Sequence, residues 1–382
     1  MSRKNIGLAG LPGVFLAPTK FSTAELIKEL GACYPQDHAE IEKRGKPLPD
    51  NWAERYFGIK ELPRDYRWVG GRLIKPSREE GGLYGVDLAI NAARIALKNA
   101  GLTPRDIGMF VEVTATADTV GLSTHQRGYY QDLGLRTDIA PLTIDVGCAG
   151  FFDALKHCEA YLRSGLAKYA LAIFQNCPSA PLGTPELREC CKTSMEALAC
   201  HMAFADGAVA CIFTLTENAD EGFLSHQFDQ KFGEKFDLMD VIVGGNMHSP
   251  IKSSKHGAGY RMNGKAVQKA FVELMLCNYD NACKMYEECG LGSYNPAAIE
   301  SFVLHQASKP AILKTLDARP EIPRDHVPMI MGDKGNLAVA SGPCVLTEKL
   351  ENSDRGSLHI VMLLGSSAGG AGYGSAIFRK NF

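Results

Sequence analysis

The chain has 382 residues, 45% of them hydrophobic and 22% charged, with a formal net charge of −2. That length buries a large core, as one big domain or two intimate halves, and the near-balanced charge lacks the basic footprint of a nucleic-acid binder. No apolar run approaches the roughly 20 residues of a membrane helix, which leaves a soluble globular protein as the expectation.

The N-terminus, "MSRKNIGLAGLPGVFLAPT", sets Arg3 and Lys4 before an apolar stretch, but Pro12 and the glycines interrupt it. A first core strand over Asn5–Ala9 is expected rather than a signal peptide. The 12 cysteines include no C-x-x-C pair, so no metal site is expected and most thiols read as small buried hydrophobes. A reduced, cytoplasmic protein follows.

In "GVDLAINAARIALKNAGLTPRDIGMFVEVTATAD", Leu88, Ala92, Ile95, Ala96 and Ala100 form one apolar helical face. Gly101 supplies a C-terminal stop, and Thr103-Pro104 turns the chain into a strand over Met109–Val113. Near the middle, "TIDVGCAGFFDALKHC" passes from a β-branched strand through Gly-Cys-Ala-Gly into a helix over Gly150–Leu162. "KYALAIF" is a buried strand and "FADGAVACIFTLTE" a glycine-interrupted edge, whereas Glu217 to Gly257 reads as a long excursion. Regularity returns with helix "GKAVQKAFVELMLCNYDNACKMYEECGL", strand "ESFVLHQ", helices "ASKPAILKTLDA" and "LAVASGPCVLTEKLE", and strands "LHIVMLL" and "GYGSAIFRK". The alternation implies an α/β fold on a mostly parallel sheet, in two rounds divided near residue 216: an N-terminal half, 1–216, and a C-terminal half, 217–382.

Active sites of α/β sheets gather at strand C-termini, and three chemically useful residues fall there. Cys148 opens a helix, where the dipole and free N–H groups favour a thiolate. His305 follows "ESFVL", and Asn336 stands in "GDKGNLAVAS", where it also fits a helix N-cap. The glycine-dense "GSSAGGAGYG" can bring a backbone N–H close to a reacting carbonyl.

These motifs resemble the thiolase superfamily and, within it, condensing enzymes of the β-ketoacyl-acyl-carrier-protein synthase III type. The matching stretches are "VDLAINAARIALKNAGLTPRDI", "DVGCAGFFDAL", "FADGAVA", "YRMNGKAVQKAF", "VLHQAS", "GNLAVAS" and "GSAIFR". The resemblance implies a duplicated five-layer αβαβα core. It implies that Cys148 takes an acyl group from a coenzyme A or carrier-protein thioester, with the N–H groups of Cys148 and Gly369 as oxyanion hole. His305 and Asn336 would hold the carbonyl of a malonyl-type thioester during decarboxylative Claisen condensation, without metal, flavin or nicotinamide. It further implies a homodimer, Trp52 and Arg55 at the nucleotide end of coenzyme A, and an acyl pocket near "ADTVGLSTHQRGYY", whose His125 reads as a polar loop residue. Only Gly147 separates Asp-Val from the cysteine, Ser308 replaces the family's asparagine, and extra segments at 34–82 and 217–257 point to a specialised fatty-acid or polyketide pathway. Two alternatives are an acyltransferase passing the group to an O or N nucleophile, and a non-catalytic partner subunit. Acyl chain and extender are not legible.

Overall fold

The computed structural model describes residues 4–30, 48–119, 124–183, 191, 195–236, 239–242, 259–262, 264–367 and 370–382. Ten strands form one sheet: β1 (Ile6–Leu8), β2 (Gly13–Leu16), β3 (Met109–Thr114), β4 (Pro141–Asp145), β5 (Ala170–Asn176), β6 (Gly207–Leu215), β7 (Gly222–Lys231), β8 (Ser301–Leu304), β9 (Leu358–Ser367) and β10 (Gly370–Arg379). Their order is β8-β9-β10-β7-β1-β6-β5-β3-β4, with β2 also paired to β6.

The sheet is mixed, not mostly parallel. Only β3–β4, β3–β5 and β8–β9 run parallel; the other pairings are antiparallel. Two residues separate β9 from β10 in the sequence, and so short a link can only reverse the chain. Two further expectations change here. "FADGAVACIFTLTE" is no edge: β6 is flanked by β5 on one side and by β1 and β2 on the other. Within the expected excursion lies β7, joined to β10 along its length. Its polar, half-buried side chains hid the alternation.

The helices that matter are α1 (Gly85–Ala100), α2 (Gly150–Arg163), α3 (Met195–Ala203), α4 (Gly264–Glu288), α5 (Lys309–Ala318) and α6 (Ser341–Glu351). They form three helical layers, and the two stretches of the sheet on either side of α2 and α6 complete the five. Helix α1 covers β2, β5 and β6 from outside, burying Leu88, Ala92 and Ala96, while Gly101 stops it at φ +64°. Helices α2 and α6 lie in the middle: α2 touches β3 to β7, and α6 touches β2 and β6 as well as β8 and β9. Helix α4 closes the far side on β9 and β10, with α5 against α4. A central helix has both faces covered, which is why Phe151, Phe152, Ala154, Leu155 and Cys158 of α2 are all buried. Among the described residues no helix is long and apolar enough to cross a membrane.

Candidate active site

Cys148 lies between β4 and α2, pressed against the end of β9. The Gly147 N–H donates to the Ser366 carbonyl at 2.8 Å. A Cβ on Gly147 would come within 2.5 Å of that oxygen, and one on Gly365 within 2.5 Å of the Cys148 nitrogen. Glycine on both sides is a steric requirement. The cysteine packs on a small buried cluster of Leu182, Cys200, Phe204 and Ala338. It keeps some surface, but burial dominates the thiol and pushes it up to about 12. Loss of water around the sulfur thus opposes the thiolate that the start of α2 favours.

His305 directly follows β8 and ties its backbone N–H to the Met362 carbonyl of β9 at 3.0 Å. It is 3% exposed, with its ring 6.0 Å from that of Phe271. Burial brings the imidazole down to about 4, so it is neutral near pH 7 and carries one N–H. Among the described residues its buried Nδ1 has no hydrogen-bond partner.

Asn336 stands two residues before a 3₁₀ turn, Ala338–Ala340, that leads into α6, and it leaves the cap position of that turn to Leu337. Its backbone N–H donates to the Ala203 carbonyl and its own carbonyl accepts from the Ala205 N–H, each at 2.9 Å. Its side-chain Oδ1 accepts from the Ala338 N–H at 2.9 Å and from the Ser341 hydroxyl at 3.0 Å. Both bonds are accepted by oxygen, so the amide is oriented with its NH₂ as the remaining donor. Around it the backbone is strained, with Ala338 at φ +48°. Gly335, at φ +63°, has no room for a Cβ, which would meet Leu62 at 2.3 Å.

Shared neighbours link the three residues. Cys148 and His305 both lean on β9, at Gly365 and Met362, positions about 10 Å apart along a strand. Cys148 packs on the cluster containing Ala338, whose N–H orients Asn336. Gln306 strengthens the frame: its Nε2 donates to the Leu304 and Pro328 carbonyls and its Oε1 accepts from the Ile330 N–H. Ser308, in place of the family's asparagine, caps α5 by accepting from the Ala311 N–H at 3.3 Å. Gly369 lies outside the described residues.

The coenzyme-end expectations divide. Trp52 is 3% exposed and its ring packs on Tyr56 and Phe57. It is a core residue and offers no face to a nucleotide; its six-residue helix turns the indole inward. Tyr56, whose ring is tilted against it, is 57% exposed. Arg55 does line a cavity of about 440 Å³, together with Glu54, Lys60, Lys309, Met331 and Gly332. That cavity borders the segments leading from His305 and into Asn336.

His125 is no simple loop histidine. It is buried, its Nε2 2.9 Å from Glu112 Oε2 and its Nδ1 2.7 Å from Thr119 Oγ1. The Glu112 carboxylate, fully buried on β3, also accepts from Gln126 at 3.0 Å and from the Tyr129 hydroxyl at 2.6 Å. Sequence reading missed this cluster, Ser341 and Gly365. An acidic residue inside the apolar run "MFVEV" was the one available signal for Glu112.

Layers, mixed sheet and strand-end site together define a thiolase-fold protein. The solved 3-oxoacyl-(acyl carrier protein) synthase III from Pseudomonas aeruginosa shares that fold, with TM-score 0.74 over 100% of this chain and 99% of that one at 22% identity. OleA from Xanthomonas campestris gives 0.72 over 99% of each chain at 18% identity. Residues 292–380 match the model of the 3-oxoacyl-acyl-carrier-protein synthase III C-terminal region. Beta-ketoacyl-acyl-carrier-protein synthase III from Cereibacter sphaeroides is 31% identical over 300 residues, which are 77% of this chain and 83% of that protein. The enzyme of that name from Neisseria meningitidis is 29% identical over 352 residues, 90% of this chain and 99% of its own. The chain belongs to the beta-ketoacyl-acyl-carrier-protein synthase III family and is a condensing enzyme of the acyltransferase class.

Proposed function

We propose that this enzyme acylates Cys148 and couples the acyl group to a malonyl-type thioester with loss of carbon dioxide. In the first half-reaction the Cys148 sulfur attacks the thioester carbonyl of an acyl-coenzyme A or acyl carrier protein. A carbon–sulfur bond forms, the original one breaks, and the cysteine's proton leaves on the departing thiol. Backbone N–H groups at Cys148 and Gly369 hold the oxyanion. In the second half-reaction the carboxylate–carbon bond of the malonyl thioester breaks and its electron pair passes to the thioester oxygen. His305 and Asn336 donate to that enolate oxygen; the enolate carbon attacks the acyl-cysteine, the carbon–sulfur bond breaks, and the sulfur recovers a proton from water. Two preorganised donors suit this step, and loss of one typically costs about a hundredfold or more in rate.

One observation carries the reading. The Asn336 Oδ1 is occupied by Ala338 and Ser341, so the amide presents a donor, as an enolate stabiliser must and a general base cannot. A neutral His305 also donates without adding net charge. Arg55, Lys60 and Lys309 around the neighbouring cavity supply cations for the phosphates of coenzyme A or the phosphopantetheine arm. The reading extends to a cytoplasmic homodimer in a specialised fatty-acid or polyketide pathway.

The test is a panel of acyl thioesters, each followed by malonyl-coenzyme A labelled in its free carboxyl. Expected are an intact-mass adduct on Cys148, release of labelled carbon dioxide, and a β-ketoacyl product. Asn336→Ala should keep the adduct and lose the carbon dioxide. An adduct that passes to an alcohol or amine without label release would replace condensation by simple acyl transfer; no adduct with any thioester would leave a partner subunit.

A further inference from the structure

Arg64 is fully buried, and among the described residues no carboxylate pairs with it. Its Nη2 donates to the His201 carbonyl at 2.9 Å and to the Phe204 carbonyl, while Nη1 lies 3.5 Å from the Tyr66 hydroxyl. His201 belongs to the last turn of α3 and Phe204 follows that helix directly, so the cation sits where unpaired helix carbonyls concentrate negative charge. An uncompensated buried guanidinium is expensive, and here two carbonyls of one backbone segment compensate it, beside the hydroxyl and ring of Tyr66. The same segment carries Asn336: Ala203 accepts its N–H, the Ala205 N–H reaches its carbonyl, and Phe204 bridges to it in parallel. Carbonyls 201 and 204 bind Arg64, while positions 203 and 205 bind Asn336. Asn176 adds a bond to the Ala205 carbonyl at 3.0 Å. Behind it the Asp206 carboxylate accepts from the Asp65 and Ser179 N–H groups, each at 2.9 Å.

We propose that Arg64 is a positioning residue for Asn336, acting through the carbonyls of residues 201–205 and tuning the carbon–carbon step without touching the acylation of Cys148. The inference rests on the role given to Asn336 above. Cys148 touches this segment too, through side-chain packing on Phe204, but its backbone is seated on β9 at Gly365 and Ser366 by contacts that do not involve Arg64, whereas the Asn336 backbone is bonded to the segment twice. A shift of the 201–205 segment therefore moves the amide donor more than the nucleophile. Misplacement of a catalytic group by about 1 Å costs on the order of a hundredfold.

The experiment measures two half-reactions on the full chain for wild type, Arg64→Lys, Arg64→Met, Asn336→Ala and the double variant Arg64→Met/Asn336→Ala. Acylation of Cys148 is followed by intact mass, and decarboxylation by release of labelled carbon dioxide. Expected is a 10- to 100-fold loss of decarboxylation in Arg64→Met, acylation within about twofold of wild type, and no loss in the double variant beyond that of Asn336→Ala. Arg64→Lys, which keeps the cation but not the fork, should recover part of the decarboxylation rate, and it serves as the decisive variant if Arg64→Met does not fold. Equal loss in both half-reactions, or a wild-type rate in Arg64→Lys and Arg64→Met alike, overturns the inference alone. Failure of the wild type to release carbon dioxide overturns the condensation reading, and this inference with it.

Discussion

Gly365→Ala is the sharpest probe of how the nucleophile is held. The new Cβ would stand 2.5 Å from the Cys148 nitrogen, 2.8 Å from its Cβ and 3.0 Å from its Cα. Ordinary contact begins near 3.4 Å, so something must give by about 0.9 Å. Two of those three atoms are backbone, and Gly147 is itself bonded to Ser366, so no flexible side chain can absorb the shift alone. Overpacking of this kind destabilises by about 1–3 kcal/mol, and a nucleophile displaced by about 1 Å loses roughly a hundredfold in rate. The assay is the intact-mass time course of Cys148 acylation beside thermal unfolding. Gly101→Ala is the control: its φ of +64° strains any side chain but nothing lies within 4 Å, so it should lower stability by about 1 kcal/mol and leave acylation unchanged. If Gly365→Ala acylates within twofold of wild type, the tight seat of the cysteine is not what positions it.

Further predictions concern titration. With the Cys148 thiol at about 12, its alkylation by iodoacetamide should rise about tenfold per pH unit from 6 to 10; a plateau below pH 9 would mean a stabilised thiolate after all. His305, lowered by burial to about 4, stays neutral in the fold while the unfolded chain protonates from about pH 6.5 downward. Stability should therefore fall as pH drops from 6.5 to 4, by roughly 3 kcal/mol for this residue, and the slope of the denaturation midpoint against pH should flatten in His305→Gln. For the Glu112–His125 pair, burial opposes the charges, yet their mutual hydrogen bond and attraction leave Glu112 lowered and His125 raised. The bond is complete at intermediate pH, weakening as pH falls through the lowered carboxylate or rises through the raised imidazole. Glu112→Gln should cost about 3 kcal/mol in chemical denaturation, and a loss under 1 kcal/mol would show the cluster to be dispensable.

Local chemistry made much of this protein readable from its residues. Periodicity and glycine stops placed α1 and α2 to within a residue or so, because an amphipathic helix advertises the face it buries. Strand-end positions singled out Cys148 and His305, since such ends are where loops of an α/β sheet can meet; Asn336, expected at one too, instead stands between the short helix Met331–Lys334 and the turn Ala338–Ala340 and is bridged to Phe204. Pairing direction was beyond that reach. Whether β6 sits at an edge or in the interior depends on which distant strands adopt it, and the alternation along one strand is the same in either case. The burial of Trp52, the thiol raised to about 12 and the Glu112 cluster share one cause. Solvent exclusion is a property of everything that packs around a group, and the residues doing the packing lie far apart in the chain. Arg64 and Asn336 are 272 positions apart, yet one short backbone segment joins them. The sequence alone chose the chemical groups; only the tertiary structure decided which of them lost water and which carbonyls they found.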